Sequence, residues 1–327
     1  MVNEIEFPGL SIGPFEMSRV AFEIGPFTVY WYAVILIIAI VAGFVFALHE
    51  AKRMNIESDV IYDIVLWGLP SAVIGARLFY VIFSFDEMKG SILNIFKIWD
   101  GGLSIFGGLI GAVIAAILYC RHKKIKAALI FDICAIPLMI GQAIGRWGNF
   151  VNAEVYGKTT SVLWRMSING MEVHPLFLYE SLLMLLGIAL LIFYKSKKRF
   201  DGEVFLLYIA WYGIIRGFLE GMRQDQFILR MFGLPISQIL AFLCAAVAIG
   251  LLIYCYINQD RLHLTATKVY SREAPSDNTE VVKIIPADHP ESNVSAENAD
   301  PKTAEASDLE EGNFEAEEEI PRQDTEQ

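Results

Sequence analysis

The stretch TVYWYAVILIIAIVAGFVFAL, from Thr28 to Leu48, decides the fold. A hydrocarbon core about 30 Å thick needs roughly 20 apolar residues in a helix to cross it, and this run supplies them. Six further runs reach or approach that length: Val60–Phe83, Leu103–Tyr119, Ala127–Ile144, Pro175–Tyr194, Val204–Leu219 and Leu234–Ile257. They raise the hydrophobic content to 55% and the mean hydropathy to +0.46. An average soluble domain is only about 45–50% apolar. The expected fold is therefore all-α, a polytopic membrane bundle of seven transmembrane helices.

Charge orients the bundle. Basic residues collect after the first run (Lys52, Arg53), between the third and fourth (Arg121, Lys123, Lys124, Lys126) and between the fifth and sixth (Lys195, Lys197, Lys198, Arg199). These connections alternate onto one side, which the positive-inside rule assigns to the cytoplasm. The expectation is an N-terminus outside and a C-terminus inside. An exterior cap would be built from Asp86–Asp100, Arg146–His174 and Glu220–Gly233. Residues 1–27 carry Glu4, Glu6, Glu16 and Glu23 and do not read as a signal peptide, so the first helix is expected to direct insertion itself.

The net charge of −11 misleads as an average. From Leu262 onward there are 17 acidic and 5 basic residues, which leaves the preceding chain near +1. Residues 1–261 are expected to form the membrane domain. Residues 262–327, poor in aromatics and rich in Glu, Asp, Asn, Ser and Pro, cannot bury enough apolar surface to offset ordering and are read as a disordered cytoplasmic tail. Cys120, Cys134, Cys244 and Cys255 lie in or beside apolar runs without C-x-x-C spacing and read as packing residues.

Charged groups inside a membrane cost about 2.5–3.5 kcal/mol each at mid-depth, so something must offset them. Arg77 has two open readings: snorkelling to the headgroups, or an inward-facing cation for an anionic group. The densest signal is Gly141-Gln-Ala-Ile-Gly-Arg-Trp-Gly-Asn-Phe-Val-Asn-Ala-Glu-Val-Tyr-Gly157. On a helix, Arg146 and Asn149 share a face, with Glu154 just past a break. An interfacial arginine beside a glycine-rich turn explains Arg146 alone but not Arg146, Asn149, Asn152 and Glu154 together. An arginine offers a planar fork of donors suited to phosphate. Arg216 and Glu220 stand at i, i+4 with Arg223 one turn on, either a helix-end ion pair or a phosphate site held by a carboxylate. His174-Pro175 opens the fifth run, with Tyr179 and Glu180 following. Metal-ligand spacing, phosphate-cradling loops, dinucleotide fingerprints and G-x-S-x-G elbows are not found in the sequence. No metal, no cofactor and no nucleic acid is expected.

The stretch Gly145–Gly157 resembles the signature of the prolipoprotein diacylglyceryl transferases. Other segments agree in order: Trp31-Tyr32, Gly75-Ala-Arg77, Trp99-Asp-Gly-Gly-Leu103 with Gly107-Gly-Leu-Ile-Gly111, His174-Pro175 with Tyr179-Glu180, and Arg216 with Glu220. The resemblance runs from about Pro26 to Tyr256. It implies seven spans in a bacterial cytoplasmic membrane. It also implies transfer of a diacylglyceryl group from phosphatidylglycerol to the lipobox cysteine thiol of a prolipoprotein signal peptide. A thioether forms and glycerol phosphate leaves, the first step of lipoprotein maturation. The partners implied are phosphatidylglycerol, the lipobox-bearing precursors and the lipid bilayer itself.

By that resemblance Arg146 binds the lipid headgroup. Asn149, Glu154 and Gly157 shape its pocket, and Tyr32, Arg216 and Glu220 complete it. Arg77, Phe106, Gly107 and Gly108 are expected to contact substrate, with lipid entering laterally between helices. One departure stands out. Phe106 occupies the place where the family carries His or Tyr, and a phenyl ring moves no proton. Phe106 is expected to line the lipid pocket, which leaves Glu154, Glu220 and Tyr32 as candidates for deprotonating the thiol. A transporter would predict two related halves and charges strung along a path, neither of which the sequence has. A non-catalytic lipid-binding scaffold would require no paired polar cluster.

Overall fold

The structure, a computed structural model, describes residues 2–83, 101–227, 230–231 and 234–267. The expected cap loop Asp86–Asp100 and the acidic tail beyond residue 267 lie outside these residues. Seven helices, each long and apolar enough to cross a membrane, follow one another: α1 Trp31–Arg53, α2 Ser58–Phe83, α3 Ile105–His122, α4 Ala127–Val151, α5 Leu176–Tyr194, α6 Glu203–Gly221 and α7 Ile236–Ile257. The expected bundle of seven helices is therefore present. Its most consequential boundary shift is in α4, which continues past Ile144 to Val151 and so carries Arg146 and Asn149 on helical backbone.

The all-α expectation needs correction at the N-terminus and between α4 and α5. Strands β1 (Val2–Phe7), β2 (Ile12–Ser18), β5 (Met166–Ile168) and β6 (Met171–Val173) form an antiparallel sheet in the order β2-β1-β5-β6. Strands β3 (Val20–Ile24) and β4 (Phe27–Tyr30) form a separate hairpin, so Thr28–Tyr30 is strand and not the start of a helix. Two short strands, β7 (Arg230–Met231) and β8 (Leu234–Pro235), pair just before α7. The β5–β6 turn is Asn169-Gly170, both with positive φ (49° and 83°), as a tight two-residue hairpin turn demands. Ile5, Met166, Ile168 and Val173 are buried with Phe177 at the head of α5, which seats the sheet on one end of the helices.

α4 is the central helix, packed against α1, α5 and α6. Ala135, Met139 and Ala143 of α4 meet Leu176, Met184 and Leu191 of α5 and Tyr208, Ile215 and Leu219 of α6 in one buried cluster. Outward-facing α1 residues such as Ile37, Val41 and Val45 stay more than half exposed, the surface a lipid-facing helix presents. Between α2 and α3 the approach is closest. A Cβ placed on Gly107 would stand 2.3 Å from the Gly75 carbonyl oxygen, so only glycine allows it.

At the end away from the sheet, Asp132 of α4 caps α6. It accepts from the backbone N–H of Gly202 (2.9 Å) and Phe205 (3.0 Å) and pairs with Lys198 at 2.9 Å. These bonds satisfy donors that a helix start otherwise leaves open. Next to it, Asp201 accepts from Thr267 through both the backbone N–H and the hydroxyl, each at 2.8 Å. The chain after α7 is thereby held against the α5–α6 connection.

Candidate active site

The end of α4 builds the first part of the site. Glu154 N–H donates to the Asn149 carbonyl (3.0 Å) and Ala153 N–H to the Phe150 carbonyl (2.9 Å), with Ala153 at φ 50°. This pair of bonds past the C-cap Asn152 is a Schellman ending, with alanine in the left-handed position where glycine is commonest. It folds the chain back over the last helical turn and brings the Glu154 carboxylate to Asn149. The Asn149 and Asn152 side-chain amides both donate to Glu154 Oε1, at 2.9 and 3.3 Å. Val155 also has φ +58°, an uncommon conformation for a β-branched residue and the kind of backbone strain that gathers at functional sites.

From Asn149 the contacts run on into the bundle. Arg146 Nη1 donates to Asn149 Oδ1 at 3.2 Å, and Arg146 Nε meets Glu180 Oε2 at 2.5 Å. The other oxygen of Glu180 takes Arg216 Nη1 at 3.1 Å. Arg216 Nη2 reaches Glu220 at 2.9 Å, and Glu220 also holds Arg223 at 3.1 Å. Glu154, Asn149, Arg146, Glu180, Arg216, Glu220 and Arg223 thus form one unbroken polar chain across α4, α5 and α6. Glu180 and Glu220 side chains are 5% and 1% exposed, while Arg146 and Arg216 keep 19% and 16%. The carboxylates are the buried braces and the guanidiniums are the reachable groups. Burial, and then the neighbouring Arg216, pull the Arg223 guanidinium below its usual range against the opposing pull of Glu220. Each guanidinium has five donors in a rigid fork, and a phosphodiester offers matching acceptors.

Gly157 pairs with Arg223 across a β-bridge, and its N–H donates to the His174 carbonyl at 3.0 Å. A Cβ there would strike His174 Cβ at 2.6 Å. Gly157 therefore closes the loop on the arginine chain by close backbone approach. Trp164 Nε1 donates to the Tyr179 hydroxyl at 2.6 Å, and the same hydroxyl is hydrogen-bonded to His174 Nδ1 at 3.1 Å. Burial holds the His174 imidazole below its ordinary pKa, so it is neutral near pH 7. Tyr32 packs its ring on Gly148 of α4, where a Cβ would come within 2.6 Å of it.

The remaining expected site residues belong to another contact set. Arg77, 7% exposed, donates to the Gly101 and Gly102 carbonyls at 2.7 and 3.0 Å and so clasps the segment leading into α3. Phe106 lies beside Phe79 with ring centroids 6.5 Å apart. Gly107 and Gly108 face α2, against Gly75 and Phe79 and against Ala72 and Ala76 respectively. Glu180 is the residue that sequence reasoning undervalued. In the sequence it only follows Tyr179 near the start of the fifth run, yet it joins the two arginines. A lone glutamate one turn inside an otherwise apolar span is the signal that could have found it.

A sequence model of the prolipoprotein diacylglyceryl transferases matches residues 19–254. The phosphatidylglycerol–prolipoprotein diacylglyceryl transferase of Pediococcus pentosaceus is 41% identical over 252 residues, covering 73% of this chain and 90% of the relative. The proteins of the same name from Listeria innocua (40% over 271 residues, 77% and 97%) and Finegoldia magna (42% over 226 residues, 69% and 90%) agree with it. With its seven apolar helices and the Arg146–Glu154 segment intact, the chain belongs to the prolipoprotein diacylglyceryl transferase family.

Proposed function

We propose that the chain moves the diacylglyceryl group of phosphatidylglycerol onto a lipobox cysteine of a prolipoprotein, and that the Arg146–Glu180–Arg216 chain is where the lipid phosphate is held. The thiol sulfur forms a bond to the terminal glycerol carbon of the diacylglyceryl group as that carbon's bond to the phosphate oxygen breaks. The electron pair leaves with glycerol phosphate. Two things are needed: stabilisation of charge on the departing phosphate, and removal of the thiol proton, because the thiolate is the nucleophile. The first falls to Arg146 and Arg216, preset by Glu180 so that no reorganisation is needed as charge develops.

For the second, the partners of the carboxylates discriminate. Glu180 and Glu220 each bind two guanidiniums, whereas Glu154 is held by two neutral amides. Taking a proton on Glu154 breaks no ion pair, so Glu154 is the acceptor this reading favours over Glu220 and Tyr32. The sulfur comes from the substrate, so no covalent enzyme intermediate is required.

The single observation that carries the reading is the pairing of two partly reachable arginines with one buried carboxylate at the sheet-covered end of a membrane bundle. The basic clusters all sit at the opposite end of the helices. That arrangement supports a cytoplasmic membrane location with the N-terminus and site toward the exterior and the tail from Leu262 inside. Purified protein in phosphatidylglycerol vesicles, given a lipobox peptide and labelled lipid, tests the reaction. Labelled peptide with wild type and about 100-fold less with Arg146→Ala is expected. Equal labelling would move the phosphate site elsewhere. No labelling by folded wild type would overturn the reaction.

A further inference from the structure

The β3–β4 hairpin is separate from the four-stranded sheet, and its register sorts its side chains by polarity. Phe22 stands opposite Val29, and Ile24 opposite Phe27, while Glu23 stands opposite Thr28. Directly opposed residues share a face of an antiparallel pair, and neighbours along a strand alternate. One face is therefore Phe22, Ile24, Phe27 and Val29, and the other carries Glu23 and Thr28. The apolar face is uncovered: Phe22, Ile24 and Phe27 are 50%, 62% and 73% exposed. A lone two-stranded hairpin is marginal in water and needs a surface to lie on.

We propose that this surface is the lipid bilayer, with the apolar face of the hairpin seated in the boundary between headgroups and acyl chains. The occupant follows from continuity. β4 ends at Tyr30 and α1 begins at Trp31 with no linker, so the hairpin runs directly into a helix long and apolar enough to cross the membrane. Trp31 and Tyr32, 43% and 41% exposed, stand at the junction, where amphipathic rings collect at membrane interfaces. Apolar residues on one side and polar groups on the other are what an element lying in the interface plane requires.

The base of the hairpin is fastened to the site. Arg19, directly before β3, donates through Nη2 to the Asn152 carbonyl at 2.9 Å, and its own carbonyl accepts from Trp31 N–H at 3.0 Å. Asn152 is one of the two amides on Glu154. A hairpin seated in lipid thus fixes the height of the Asn152–Glu154 loop above the bilayer surface. The inference needs only a membrane-embedded chain, and it stands or falls separately from the transfer reaction.

The test places a photoactivatable phenylalanine analogue, one position at a time, at Phe22, Phe27, Glu23 and Thr28 in the full chain. Each protein is reconstituted in vesicles of phosphatidylglycerol and phosphatidylcholine. Lipid adducts at positions 22 and 27, several-fold above those at 23 and 28, are expected. They should persist when a lipobox peptide is added. Adducts to a second copy of the chain, adducts only to the peptide, or equal lipid labelling on both faces would each overturn the proposal. A second reading uses Phe27→Glu with the photoprobe at Phe22. Loss of lipid adducts in a variant whose helical content is unchanged is expected, and undiminished adducts would count against seating by this face.

Discussion

Arg146 and Glu180 meet at 2.5 Å between α4 and α5, an arginine nitrogen against a carboxylate that is almost fully buried. The other oxygen of that carboxylate holds Arg216, so one residue fixes the separation of the two cations to which we assign phosphate binding as a proposal. Glu180→Ala leaves both guanidiniums without their shared brace. Breaking a buried pair by removing one partner costs about 3–5 kcal/mol, so a lower unfolding midpoint in detergent is expected along with loss of transfer. Glu180→Gln keeps the shape and removes the charge. It should lose less stability than the alanine variant yet still lose most activity, and full activity would show that the brace needs no charge.

Arg146→Lys separates charge from geometry. A lysine ammonium keeps the positive charge but not the planar fork that spans Asn149 and Glu180 together. The expected result is a folded protein with transfer reduced about 100-fold, since removing one preset donor of developing charge typically costs about 10²–10³. Rates within a fewfold of wild type would assign the site a simple electrostatic role.

The Schellman ending of α4 makes a prediction of the opposite sign. Ala153 occupies a left-handed conformation in which glycine meets no Cβ penalty. Ala153→Gly is expected to raise stability by up to about 1 kcal/mol after the greater freedom of glycine in the unfolded chain is counted. A denaturation curve of the two proteins under one detergent condition checks it. A lower midpoint for the glycine variant would mean that the Ala153 methyl packs usefully beside Phe150 and Phe177.

The seven helices were legible because each run is long and apolar, and the membrane requirement admits no shorter solution. The Arg146–Glu154 segment was legible because so many polar residues in one membrane stretch are costly without a use. The β-cap escaped because hydropathy does not register short half-buried strands. Its clearest mark, Asn169-Gly170 between Met166–Ile168 and Met171–Val173, is a hairpin turn signature that reading for spans passes over. Glu180 escaped for another reason. Its partners lie 34 and 36 positions away in the chain, on α4 and α6, and local helix-face reasoning reaches only three or four residues. For Gly107 and Gly108 the sequence leaves the role open, because a glycine serves close approach to a ligand and to another helix equally well.

That last ambiguity is now testable. Gly107 is pressed against the α2 backbone, whereas a Cβ on Gly108 would make only ordinary contacts, at 3.4 Å to the Ala72 carbonyl oxygen and 3.6 Å to the Ala76 methyl. Gly107→Ala should therefore cost about 1–3 kcal/mol through overpacking, and Gly108→Ala should be nearly neutral in both stability and transfer. If both variants fold as wild type does and both lose lipid turnover, the two glycines serve the substrate after all.

His174 supplies a pH dependence whose sign is fixed by its surroundings. Burial lowers its pKa in the folded protein, because the half-buried ring loses solvation when it is charged. An unfolded histidine titrates near about 6.5. Stability linked to this group is fully present above that value and is lost as pH falls through the unfolded and then the folded pKa, because only the unfolded chain takes up the proton readily. The unfolding midpoint of wild type should therefore fall on acidification below about pH 6.5 more steeply than that of His174→Gln, whose amide does not titrate. Parallel curves for the two proteins would mean that the His174 ring gains a proton without disturbing the fold.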